Sequence, residues 1–102
     1  MKNRKMVMEL QSEFLRAIRE RIDIGHYPVR FLHMLQDHGP VITAVHFVMA
    51  FQDPEGFESL IVAERMDLTV EAIILQEPYR LLFAPEVLER AEQKLQEVGY
   101  VA

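Results

Sequence analysis

Residues 56–83, GFESLIVAERMDLTVEAIILQEPYRLLF, hold the densest mix of apolar residues, helix punctuation and paired charges in the chain, and their reading decides the fold. Leu68-Thr69-Val70-Glu71 reads as a helix start. The Thr69 hydroxyl can accept from free backbone N–H groups of the first turn, and Leu68 just before it can staple onto Ile73. Glu71 falls where the helix dipole favours a negative charge. Ala72, Ile73, Ile74 and Leu75 continue as a short apolar helix, which Pro78 stops.

Outward from this stretch the punctuation stays helical. Residues 57–64 predict a short helix burying Phe57, Leu60 and Ile61, preceded by the turn cluster QDPEG at 52–56. Residues 79–83 read as an irregular turn over the core. The last helix opens with Pro85 at its first position, carries Glu86 and Glu89 near its start, and stops at Gly99. Val87, Leu88, Ala91, Leu95 and Val98 form its inner face, with Glu92, Lys94, Gln96 and Glu97 assigned to solvent. Upstream, residues 3–24 give the longest helical pattern. Met6, Leu10, Phe14, Ala17 or Ile18, and Ile22 recur at three- and four-residue steps as one apolar stripe, and Gly25 is its stop. Pro28 opens a helix with Phe31, Leu32, Met34 and Leu35 on its buried side. His38-Gly39-Pro40 ends that helix and starts another. Residues 41–51 suit a strand by propensity, but Pro40, Ala44, Met49 and Ala50 favour helix. The run is apolar nearly all round, and no other stretch offers it a strand partner, so it reads as a buried helix. The expectation is an all-α, compact single domain over residues 1–102, with five or six helices, a long N-terminal helix and a capped C-terminal one. Residues 1–5 are the one stretch open to disorder.

At 102 residues the chain supports one modest core, and half of its residues are hydrophobic. With no cysteine, neither a disulfide framework nor a thiolate metal site can form, which suits a cytoplasmic location. No apolar run approaches the roughly 20 residues of a membrane span, and no signal-peptide pattern follows the basic start MKNRKMVMELQ. The net charge of −5 is uneven: residues 1–30 hold seven Lys/Arg against four acids (+3), and residues 31–102 hold four against twelve (−8). An acidic majority argues against wrapping nucleic acid over the whole surface, while the basic first helix keeps a local contact open.

Chemistry is sparse. The four histidines, 26, 33, 38 and 46, are separated by seven, five and eight residues, not the three or four that set two ligands on one helix face. No metal or cofactor is expected. Glu64, Arg65, Asp67 and Glu71 could in principle bind a divalent ion or act as acid and base. With Arg65 present to neutralise a carboxylate, however, they read as a structural lock in which Arg65 is clamped to Asp67 or Glu71 beside the Thr69 cap. No phosphate-cradling glycine loop occurs, and neither serine has a nucleophile-elbow context. The chain is therefore expected not to be an enzyme. The basic positions Lys2, Arg4, Lys5, Arg16, Arg19 and Arg21, with Arg30 beyond, lack interleaved aromatics and a helix-turn-helix joint.

Several joints taken together carry a likeness: Tyr27-Pro28-x-x-Phe31-Leu32-x-Met34-Leu35, Gly39, Gly56-Phe57-x-x-Leu60, Arg65-x-Asp67-Leu68-Thr69-Val70-Glu71-Ala72, Leu82-Phe83, Ala91, Leu95 and Gly99-Tyr100. In these the chain resembles, over residues 27–100, a widespread and largely uncharacterised prokaryotic helical module. That module occurs stand-alone or accompanying restriction-like and other nucleic-acid-directed proteins. This sequence departs from it at Val62-Ala63-Glu64, where the module carries an aromatic residue and a glycine. The resemblance implies an accessory domain with no assigned catalytic residues, in settings that include antiviral defence. The favoured function is thus a non-catalytic protein-interaction module, a subunit beside a nucleic-acid-processing or defence protein or a self-associating dimer. Its contact stripe is expected at Met6, Leu10, Phe14 and Ala17, flanked by Arg16 and Arg19. The alternative is a nucleic-acid-binding accessory or regulator that uses the basic first helix.

Overall fold

The structure is a computed structural model and describes residues 3–50 and 57–100. Every regular element among them is helical, as the punctuation predicts: α1 (Arg4–Asp23), α2 (Val29–Met49), α3 (Phe57–Val62), α4 (Val70–Ile74) and α5 (Pro85–Glu97). Single 3₁₀ turns at Met66–Leu68 and Tyr79–Leu82 join the short elements. Arg4 and Lys5 belong to α1, so the stretch expected to be disordered is helical from Arg4 onward. The QDPEG turn at 52–56 lies outside the described residues.

Three chain-local devices place the helices. Both long terminal helices end in the same hydrogen-bonded stop. In α1, Gly25 N–H donates to Ile22 O (3.0 Å) and His26 N–H to Arg21 O (2.7 Å); in α5, Gly99 N–H donates to Gln96 O and Tyr100 N–H to Leu95 O, both at 3.0 Å. Thr69 starts α4 as predicted. Its Oγ1 accepts from Ala72 N–H at 3.1 Å and donates to Met66 O at 2.7 Å, so one hydroxyl closes the 3₁₀ turn and opens the helix. The third device sits inside α2, where Gly39 at φ 82°, ψ 175° interrupts the helix and Pro40 restarts it. Helical hydrogen bonding resumes on both sides, so α2 is two short helices set at an angle. The first half buries Phe31 and Leu35, and the second buries Thr43, Ala44, Phe47 and Val48. Residues 41–49 are helical as expected, but one-sided: Ile42 is 57% exposed and Met49 45%. The high apolar content of this run follows from an outer face that is itself apolar.

The core runs between α1, α2, α4 and α5. Phe14, Phe31 and Phe47 form an edge-to-face ladder with ring centroids 5.3 and 5.1 Å apart. Leu10, Leu35, Leu60, Leu68, Ile73, Ile74 and Leu95 close around it, each at most 2% exposed. All five residues of α4 are buried. A helix that short does not persist in water by itself and survives here because its neighbours enclose it. The radius of gyration, 12.6 Å, is that of a close-packed chain of this length.

Because the Thr69 hydroxyl makes two buried hydrogen bonds, Thr69→Ala is expected to lower stability by about 1–2 kcal/mol in urea denaturation, with Thr69→Ser close to wild type. Leu68→Ala, which opens a cavity beside the same joint, is expected to cost more, about 2–5 kcal/mol. Equal stability of all three variants would remove this joint from the centre of the fold.

Candidate functional site

The charged residues fall into three groups that differ in exposure and therefore in what they can do. The first is a chain of alternating charges along one flank of α1. Arg16 pairs with Glu13 and with Glu20 on its own helix. Glu20 also accepts from Arg65 Nη2 at 2.7 Å, and Arg65 grips Asp67 through Nε (3.0 Å) and Nη2 (3.1 Å). Arg65 thus ties α1 to the 3₁₀ turn that precedes Thr69. The hydrogen bonds from Arg65 hold the Asp67 and Glu20 carboxyls below the usual carboxylate range, and the bonds to Asp67 and Glu20 raise the Arg65 guanidinium. The lock expected among Arg65, Asp67, Thr69 and Glu71 forms in part. Glu71 is not in it, and Glu20, 45 positions away in sequence, takes its place.

Glu71 belongs to the second group, which lies in the interior. Its carboxylate is 2% exposed and accepts from Lys94 Nζ at 2.7 Å. The same ammonium donates to Phe47 O (3.1 Å) and Val48 O (3.3 Å), carbonyls of the last turn of α2. Three donors meet three acceptors, and two of those acceptors are helix-end carbonyls that have no partner within their own helix. Lys94, expected in solvent, is only 9% exposed. It lies on the same stripe as Val87, Ala91 and Leu95, so its stem is buried and carries the charge to Glu71 and the end of α2. Periodicity could have flagged it, since position 94 is three past Ala91 and seven past Val87. Arg21 is a second interior cation, 7% exposed, donating to Leu68 O at 2.9 Å with its guanidinium 5.9 Å from the Phe31 ring centroid. Of the basic positions weighed for a nucleic-acid contact, Arg21 is therefore turned inward, and Arg16 is already neutralised by its helix neighbours.

The third group is the outward face of α1, and here the expected contact stripe is corrected. Leu10, Phe14 and Ala17 are 0%, 1% and 3% exposed and form part of the core; Met6 is half-buried. The reason is that α2, α4 and both 3₁₀ turns pack on α1 and cover Leu10, Phe14 and Ala17. Ile22, counted with that stripe, instead lies outside it. The large apolar residues that α1 leaves exposed are Met8 (62%), Leu15 (39%) and Ile22 (38%), at successive steps of seven. Arg19, Arg4, Lys5, Glu9 and Asp23 are exposed around them. Beside Met8 a shallow groove of about 790 Å³ runs between α1 and Tyr79, rimmed by charges of both signs: Arg4, Lys5, Arg16 and Arg19 with Glu9 and Glu13. Partial burial, then the Glu13 and Glu9 charges, push the Tyr79 phenol up from its ordinary value.

Among the described residues, no three His, Asp or Glu side chains lie together as a metal site would need, and no helix is long and apolar enough to cross a membrane. His33 and His38 share a surface depression with Arg30 and Asp37, while His46 stacks edge-on to Phe47 with ring centroids 5.4 Å apart. No family model, curated protein or solved structure matches this chain.

Two outcomes follow from the ion groups. Lys94→Met and Glu71→Gln are each expected to destabilise the fold by about 3–5 kcal/mol, because each leaves a buried charge or helix-end carbonyls without a partner. The double variant is expected to fall well short of the sum in a denaturation cycle; simple additivity would show the two residues to be uncoupled. The Arg65 group predicts an acid dependence. Its two carboxyls titrate lower in the folded chain than in the unfolded one, so their stabilisation is present above about pH 4–5 and is lost as pH falls through the depressed folded values. Across about pH 5 to 3, wild type is expected to lose more stability than Arg65→Met, and parallel curves would show that Arg65 does not act through these carboxyls.

Proposed function

We propose that this chain is a non-catalytic protein-interaction module, an accessory subunit that engages its partner through the outward face of α1. The observation that carries this reading is the exposed row Met8, Leu15 and Ile22. Large apolar side chains repeated every seven residues lie on one side of a helix and suit the groove or helix of another protein. Covering their exposed parts is worth about 1 kcal/mol each, enough to matter in a complex of ordinary affinity. The charged rim of Arg4, Lys5, Glu9 and Arg19 has both signs, as the border of a protein contact usually does. The resemblance of residues 27–100 to a module that accompanies nucleic-acid-directed proteins supports a partner of that kind, with defence against foreign nucleic acid as the setting. The cysteine-free composition fits work in the cytoplasm.

One observation favours a second reading. Arg4, Lys5 and Arg19 are exposed on the same helix, beside Ser12, and could meet phosphates as a nucleic-acid-binding accessory. The contribution is small, because Arg16 and Arg21, which would have widened the basic surface, are occupied within the fold.

Both readings are tested with Met8→Glu/Leu15→Glu, which changes only exposed positions and is expected to leave the circular dichroism and melting temperature near wild type. Proteins that co-purify with the wild-type chain are expected to be lost with this variant, while DNA and RNA binding across a salt series stays weak. An identical set retained by both chains would reject the α1 face as the contact. Nucleic-acid binding that falls steeply with salt would transfer the function to the second reading.

A further inference from the structure

We propose that the occupant of the α1 face is a second copy of this chain, with the two α1 helices antiparallel about a two-fold axis at Leu15. The inference rests on the reading of that face as a protein contact and adds the identity and orientation of the partner. A dyad at Leu15 sets Leu15 against its own copy and Met8 against the Ile22 of the other protomer, so each exposed apolar residue of α1 meets another. The heptad step is the one at which two helices keep a common seam.

Charge selects the direction. Lys5, Glu9, Arg19 and Asp23 are all exposed, and among the described residues none has an ion-pair partner in its own chain. The four share one flank of α1, and an antiparallel two-fold pair brings like flanks together. Lys5 then comes within one helical turn of the opposing Asp23, and Arg19 within one turn of the opposing Glu9, each twice by symmetry. A parallel pair would set these two flanks on opposite sides of the seam, where none of the four charges meets another. Arg16, which approaches its own copy near the dyad, is already neutralised by Glu13 and Glu20. The charges left unpaired along this flank are thus self-complementary in one direction only, as an isologous interface requires.

The absence of cysteine makes the geometry directly testable on the full chain. Sedimentation velocity at tens of micromolar is expected to show a dimer. Leu15→Cys is expected to cross-link to itself with a short bis-maleimide. Met8→Cys alone is not, because its two copies lie about 21 Å apart along the helices, whereas Met8→Cys mixed with Ile22→Cys gives the cross-linked pair. Lys5→Asp is expected to raise the dimer dissociation constant roughly tenfold or more, and Lys5→Asp/Asp23→Lys to restore it. A monomer throughout this concentration range overturns the proposal. So does self-cross-linking of Met8→Cys and of Ile22→Cys, which marks a parallel pair, and so does failure of the charge swap to restore. A monomeric chain that still loses a foreign partner on Met8→Glu/Leu15→Glu would leave the interaction reading standing and reject only the second copy.

Discussion

The Lys94 ammonium is the point on which the rest of the structure depends. Its stem starts on α5, its charge is neutralised by Glu71 on α4, and its remaining protons satisfy Phe47 O and Val48 O at the end of α2. The Phe57 ring of α3 lies 5.7 Å away, so four of the five helices converge on one nitrogen. Apolar contact alone would hold these helices at many rotations and heights, because it has no direction. An ammonium with three acceptors accepts one arrangement. Its net contribution to stability is smaller than the bond count suggests, since desolvating two charges offsets much of their attraction. Its effect is to fix which carbonyls lie next to which helix, and so to set the frame on which α1 rests.

The other interior cation divides the same work. Arg21 binds Leu68 O from α1, one residue before Thr69 caps α4. Arg65 reaches α1 from the opposite side of that joint, at Glu20. Between them the two arginines pin α1 to residues 65–69 at points one helix position apart. The outcome for the surface is that Arg16 and Arg21, two of the seven basic residues among the first thirty, are used within the fold. Arg4, Lys5 and Arg19 are the α1 cations left to face a partner, in company with Glu9 and Asp23.

How much of this was legible in the sequence depended on whether the signal was local. Thr69 as a cap, Pro85 as a helix opener and Gly25 and Gly99 as stops are chemistry between residues a few positions apart, and each lies where its neighbours require. Long-range pairing was not legible. Arg65 had Asp67 and Glu71 as nearby candidates, and nothing in the sequence distinguishes the distant Glu20 from any other helix glutamate. Lys94 was assigned to solvent on residue type, although its register with Val87 and Ala91 sets it inward. The stripe of Met6, Leu10, Phe14 and Ala17 was recognised as apolar and helical, but periodicity does not reveal how many elements will cover it. The sparser row Met8, Leu15 and Ile22 became visible only once the covered side was known.

The bend at Gly39 is held by handedness. At φ 82°, ψ 175° the backbone occupies a region open to an achiral residue and closed to the L-amino acids, yet a Cβ there would meet nothing within 4 Å. Packing therefore has no part in excluding other residues, and the penalty for alanine is the same in kind as that for a large side chain. Pro40 reinforces the geometry by disfavouring a helical conformation in the residue before it. Without the bend, α2 would run on as a straight rod, and the carbonyls of Phe47 and Val48 would no longer lie beneath Lys94. One missing stereocentre, eight residues upstream, decides where the last turn of α2 presents its oxygens.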